Sequence, residues 1–239
     1  MSVNKLNKFL TKNPENPPEG IHKKRLIIVS DSKGCKLQNQ SQSSLENEII
    51  WYSKPGRNSS EAKYLIKRNI NDWVSNHGKI VLCIWTGTCD LTVKRGKYID
   101  IEDARSVEQV LTDYTDIIQS VRSHGINVKV IFLEIPQYSI INWNRSRGHP
   151  NPDSYKENSD ILVDRINRIN DKIRDLNLEL NSQSPQIGSD LYATHKRNRT
   201  TRRVNYNYNL LTDGIHPGGT LIRYWLRNFV LKLLIRNCY

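Results

Sequence analysis

The sequence predicts a three-layer α/β fold: a doubly wound, five-stranded parallel sheet with helices on both faces. Short apolar runs, continuous at residues 26–29 and 80–85 and with a single break at Lys129 in 128–133, suit central strands buried on both sides. Longer stretches with apolar residues every three or four positions separate them, and the two periods alternate from Arg25 to the end of the chain. That alternation is the rhythm of strand–helix–strand units.

The elements follow in order. The first strand, 26–29, runs into Ser30-Asp31-Ser32-Lys33-Gly34, a small-residue turn that presents a hydroxyl where a helix begins. A second strand is expected at 48–52, followed by Lys54-Pro55-Gly56-Arg57, whose glycine lets a backbone N–H approach a ligand. Asn58 and Glu61 have the spacing of a capping box and open a helix with the apolar face Ala62, Ile66, Ile70, Trp73 and Val74. The third strand, 80–85, ends in Thr86-Gly87-Thr88-Cys89-Asp90. Val107, Leu111, Tyr114, Ile118 and Val121 mark the next helix, and the fourth strand, 128–133, leads to a polar loop containing Asn142 and Asn144. Leu162, Ile166, Ile169, Ile173 and Leu176 mark another helix, and residues 187–191 give a weaker fifth strand. Asp213-Gly214-Ile215-His216-Pro217-Gly218-Gly219 precedes a last helix that is apolar nearly all round.

Composition bounds the rest. The chain has 239 residues, 37% hydrophobic and 25% charged, a balance that supports a core and excludes disorder throughout. Residues 25–239 read as one domain. Residues 1–24, with Pro14, Pro17 and Pro18, read as a flexible leader, since proline gives helices no purchase. No apolar stretch approaches the roughly 20 residues a membrane span needs, and the N-terminus lacks the apolar core of a signal peptide, so an intracellular protein is expected. The four cysteines have no CxxC spacing, which predicts neither a disulfide scaffold nor a metal site, and no cofactor motif is present. Cys35 and Cys89 fall at strand ends near the same edge, where reduced thiols are expected rather than a disulfide.

In an open parallel sheet, ligands bind at the carboxyl ends of the strands. The blocks found there, in this order, resemble those of the SGNH (GDSL-type) hydrolase superfamily over residue 25 to the C-terminus. That family places a serine in a Gly-Asp-Ser block after strand one, a glycine after strand two, Gly-x-Asn-Asp after strand three and Asp-x-x-His before the last helix. The resemblance implies a flavodoxin-like fold and an ester substrate, with Ser32 as nucleophile, His216 as general base, Asp213 as its orienting carboxylate, and the N–H groups of Ser32 and Gly56 as oxyanion donors. The chemistry needs these types: a serine hydroxyl attacks poorly until an imidazole takes its proton, and the imidazole needs a partner to fix its tautomer.

Two positions depart from the pattern. Ser30 replaces the glycine of the first block, and Cys89 replaces the asparagine of the third, whose amide donates to the oxyanion. A neutral thiol is a weak donor. A slow enzyme, one with a substitute donor such as Asn142 or Asn144, and an inactive one all remain open. A basic segment, with Lys196, Arg197, Arg199, Arg202 and Arg203 on a loop before Tyr206 and Tyr208, joins a net charge of +12. It is either solvated surface or a contact for nucleic acid or another polyanion. The competing reading of the whole chain is therefore a catalytically impaired binding module with a basic surface, in the manner of retroelement-associated domains.

Overall fold

The computed structural model describes residues 1–12, 23–183, 185–196 and 202–239. Helix α1 (Val3–Leu10) opens the chain, capped by the Ser2 hydroxyl, and buries Leu6 completely. It lies inside the segment expected to be a flexible leader, and Leu6 is part of the main core. The proline-rich residues 13–22 are outside the described part.

Strand β1 (Arg25–Ser30) leads into α2 (Ser32–Gln38), a short α3 (Ser44–Asn47) and β2 (Ile50–Ser53). Helix α4 (Ser59–His77) starts at the capping box read from Asn58 and Glu61, both halves of which are made. Strand β3 (Ile80–Trp85) is followed by a small hairpin, β4 (Val93–Arg95) with β5 (Tyr98–Asp100), and then by α5 (Val107–Val121) and β6 (Val128–Phe132). Beyond β6 come α6 (Ile140–Ser146), where a polar loop was expected, and α7 (Lys156–Glu179). A second hairpin, β7 (Tyr192–Lys196) with β8 (Arg202–Tyr206), precedes α8 (Gly219–Trp225) and α9 (Leu231–Cys238), which are joined through a π turn at Leu226–Val230.

The central sheet is parallel in the order β2-β1-β3-β6. Every residue of β3 is buried, as a strand covered on both faces requires. Helix α4 touches β1 and β3, and α9 touches the same two strands. These contacts make the three layers expected from sequence.

Residues 187–191, expected as a fifth strand, instead form a turn and a 3₁₀ segment, Ser189–Leu191. The outer edge of β6 is satisfied by side chains of α7. The Asn177 amide takes the N–H of Phe132 at 2.9 Å and donates to its carbonyl at 2.8 Å. Asn170, two helical turns away, does the same for Ile135 just past the strand. Side-chain amides have thus taken the bonds a fifth strand would make. Among the described residues, no helix is long and apolar enough to cross a membrane.

Candidate active site

The carboxyl end of β1 is built around two serines and an aspartate. Asp31 caps α2 by accepting the Lys33 N–H at 2.9 Å, which leaves Ser32 as the first helical residue. The Ser30 hydroxyl, standing where the family has glycine, donates to the Trp85 carbonyl of β3 and accepts the Gly34 N–H, both at 3.2 Å. The extra hydroxyl ties the turn to the neighbouring strand.

The other half of the site comes from the turn before α8. Asp213 Oδ1 accepts the backbone N–H groups of Ile215 at 3.1 Å and His216 at 2.8 Å, folding the turn back on its own carboxylate. Gly214 makes this possible: its φ is +89°, and an added Cβ would sit 2.7 Å from the Asn142 Cβ and Trp143 N of α6. The turn aims the imidazole at Ser32. His216 Nδ1 donates to Asp213 Oδ2 at 2.8 Å, and with that tautomer Nε2 accepts the Ser32 hydroxyl at 3.0 Å. Burial works against an ionised Asp213, but hydrogen bonds from the His216 ring and from the His216 and Ile215 N–H groups outweigh it and hold the carboxyl down at about 2. The three residues read from sequence thus form one continuous hydrogen-bond chain.

Gly56 lies in a turn closed by Arg57 N–H to Lys54 carbonyl at 3.2 Å, with Pro55 and then Gly56 at φ +80° in the two central positions. Those are the residues a type II turn favours. The turn is anchored beneath by the buried Arg57, whose guanidinium donates to the carbonyls of Ser30 and Tyr52.

The loop after β3 is tightly held. Tyr114 donates to the Thr86 carbonyl at 3.0 Å and Tyr138 to the Thr88 carbonyl at 2.9 Å. Asp90 accepts the Ser59 N–H and hydroxyl at the start of α4, and Arg105 at 2.6 Å. Burial and the neighbouring Asp31 carboxylate push the Cys89 thiol between these anchors up to about 12, so it stays protonated and can act only as a weak donor. Cys35 and Cys89 are both free thiols, as are Cys83 and Cys238. Of the two candidate substitute donors, Asn144 is committed elsewhere: its fully buried amide bonds both the N–H and the carbonyl of Ile99 in β5. Asn142 accepts a hydrogen bond from Arg145 at 3.2 Å.

Lys33 is the residue that sequence reasoning passed over. It is 2% exposed, beside an Asp31 that is fully buried, and its Nζ lies 2.5 Å from Asp31 Oδ2 and 2.6 Å from Thr88 Oγ1, over the Trp85 ring. It therefore ties the Ser32 turn to the loop that carries Cys89. A lysine in a strand-to-helix turn ordinarily reads as solvated, and nothing in its spacing gives its burial away. Lys33→Met leaves the Asp31 carboxylate buried and unpaired, and is expected to cost about 3–5 kcal/mol of stability. Urea unfolding checks this, and a loss below about 1 kcal/mol would show that the pair contributes little.

The basic segment takes a different form from the loop expected. Its flanks are strands β7 and β8, whose register sets Lys196 opposite Arg202 and His195 opposite Arg203. Arg197 and Arg199 lie outside the described residues. Five nearby cationic positions had suggested a loop because the segment has no alternating apolar pattern; the strands are held by their mutual pairing.

No family model and no curated protein matches the sequence. Solved structures do match. A GDSL-like lipase from Bacteroides thetaiotaomicron superposes with a TM-score of 0.62 at 14% identity, covering 98% of both chains. A lipase/acylhydrolase from Enterococcus faecalis gives 0.53 at 11% identity, over 90% of this chain and 97% of its own. A member of the lipolytic G-D-S-L family from Veillonella parvula gives 0.50 at 13% identity, over 88% and 98%. The chain has the fold of the GDSL-like, or SGNH, hydrolases, as its block order implied.

Proposed function

We propose that this protein is a serine ester hydrolase that works through an acyl-enzyme on Ser32. The observation that carries the reading is the hydrogen-bond chain from Ser32 Oγ through His216 to Asp213. The lipase and acylhydrolase descriptions of proteins with this fold support it by analogy.

In this mechanism His216 Nε2 removes the Ser32 proton as Oγ attacks the ester carbonyl. Asp213 remains ionised, keeps the proton on Nδ1 and stabilises the imidazolium that forms. The tetrahedral oxyanion receives the N–H groups of Ser32 and Gly56 and the weak S–H of Cys89. His216 then delivers its proton to the departing alkoxide, leaving the acyl group on Ser32. A water molecule, activated by the same imidazole, attacks the acyl-enzyme; collapse returns the proton to Ser32 and releases the acid.

The test is turnover of a short-chain activated ester such as p-nitrophenyl acetate. Turnover by the wild type that Ser32→Ala lacks supports the reading, and no turnover above buffer by a folded wild type overturns it.

A further inference from the structure

At the end of the sheet opposite Ser32, a cleft of about 460 Å³ opens between the chain just after α7 and the last helix. Lys129, the second residue of β6, lines it, and in a parallel sheet the start of β6 lies at the end away from the close of β1. The acyl-transfer steps use none of its residues. Its volume falls in the range of roughly 300–1,000 Å³ common to sites that enclose a small molecule.

Both walls are fixed by local structure. The chain leaves α7 with Asn181 in the left-handed region at φ +48°, a conformation asparagine tolerates. Ser182 then closes the turn, its N–H on the Asn177 carbonyl at 2.7 Å and its hydroxyl on the Val130 carbonyl of β6 at 2.8 Å. On the other wall, the π turn at Leu226–Val230 widens the helix where Asn228 and Phe229 enter the cleft. Such turns occur frequently at functional sites. Beyond it, helical spacing extends the wall as two rows: Asn228, Lys232 and Arg236 make a polar one, with Phe229 and Leu233 as an apolar one beside it.

The charge of the cleft is one-sided. Lys129, Lys232 and Arg236 line it, and no acidic residue does. Lys232 donates to the neutral amide of Asn228 at 2.8 Å, which orients the ammonium without neutralising it. Among the described residues, Lys129 and Arg236 are in no ion pair. A cation in the last turn of a helix offsets the helix dipole, which gives Arg236 a reason of its own. Lys129 has no such reason, because it stands half-buried near the start of a strand. Three like charges around one recess repel one another, and an anion placed among them relieves that repulsion. Phosphate suits the place, since it carries up to two charges and its oxygens match the fork of an arginine.

We infer that this cleft is a second, non-catalytic ligand site that takes a small organic phosphate, the phosphate held among Lys129, Lys232 and Arg236 and an apolar or aromatic body against Phe229 and Leu233. A recess of this size fits a small molecule better than a polynucleotide, which needs an extended track. The inference stands apart from the esterase reading.

Isothermal titration of the full chain with 1-naphthyl phosphate, at about 50 mM salt to limit screening, tests it. Saturable binding is expected, tighter than that of inorganic phosphate, with none for 1-naphthol. A charged hydrogen bond lost from the complex should weaken binding by roughly ten- to hundredfold in Lys129→Gln and in Arg236→Gln, and Arg236 is exposed, so the latter should fold as the wild type does. Phe229→Ala should weaken binding of the naphthyl ester and spare that of inorganic phosphate. Ser32→Ala should bind as the wild type does, which keeps this result separate from the outcome of the esterase test. No saturable binding to folded wild type up to about 5 mM ligand overturns the site. So does binding that survives unchanged in both Lys129→Gln and Arg236→Gln, or that is lost instead on Arg202→Glu in β8.

Discussion

Replacing Ser32 by alanine is expected to lower ester hydrolysis by about 10⁴-fold or more, because the members of a serine–histidine–aspartate unit act together and the loss of one forfeits most of what all provide. The loss should fall on kcat rather than KM, since the missing oxygen forms its new bond only on the way to the transition state. The fold should survive. The Ser32 hydroxyl bonds to His216, whereas the turn around it is held by Asp31, Ser30 and Lys33. Rates of p-nitrophenyl acetate hydrolysis, on samples with matching circular dichroism and unfolding midpoints, check this. Comparable rates for wild type and Ser32→Ala would assign any turnover to another group.

Cys89→Asn is expected to act in the opposite direction. Loss of one oxyanion donor from such a site typically costs about 10²–10³ in kcat, so an amide at position 89 can restore up to that factor. The loop is ready to receive it: Thr86 and Thr88 are fixed by Tyr114 and Tyr138, Asp90 by Ser59 and Arg105, and Thr88 again by Lys33. Donors that need no rearrangement as the reaction proceeds are the effective ones. Steady-state kinetics should show kcat rising with KM little changed. A folded Cys89→Asn with unaltered kcat would show that position 89 does not face the oxyanion, or that another group already serves it.

Much of this architecture was legible because its signals are local. The buried strands read directly from runs such as Ile80–Trp85, the start of α4 from the Asn58 and Glu61 spacing, and the triad from the order in which its blocks follow the strands. Asp213 and His216 could be paired from sequence because they are three positions apart with a glycine between them to close the turn.

What stayed hidden depends on partners far along the chain. Helix α6 is only seven residues long and is stabilised from outside, through Asn144 on the backbone of Ile99, 45 positions earlier. A weaker fifth strand was expected at residues 187–191, whereas the edge of β6 is completed by Asn170 and Asn177, which on a helix look like ordinary polar positions. Lys33 has Asp31 close in sequence, but its other partner, Thr88, is 55 positions away. Trp143 carries no motif at all; only the packing of α6 against the Gly214 turn brings it beside His216.

The central claim is that Ser32 is an activated nucleophile, and covalent labelling of the full chain by a fluorophosphonate reads that property without knowledge of the substrate. Phosphonylation requires both a hydroxyl deprotonated by its neighbour and donors for the phosphoryl oxygen. Peptide mass spectrometry after labelling is predicted to find a single adduct on Ser32, absent from Ser32→Ala and from heat-unfolded protein. An unlabelled Ser32 in folded protein, under conditions that saturate a working serine esterase, would contradict the account.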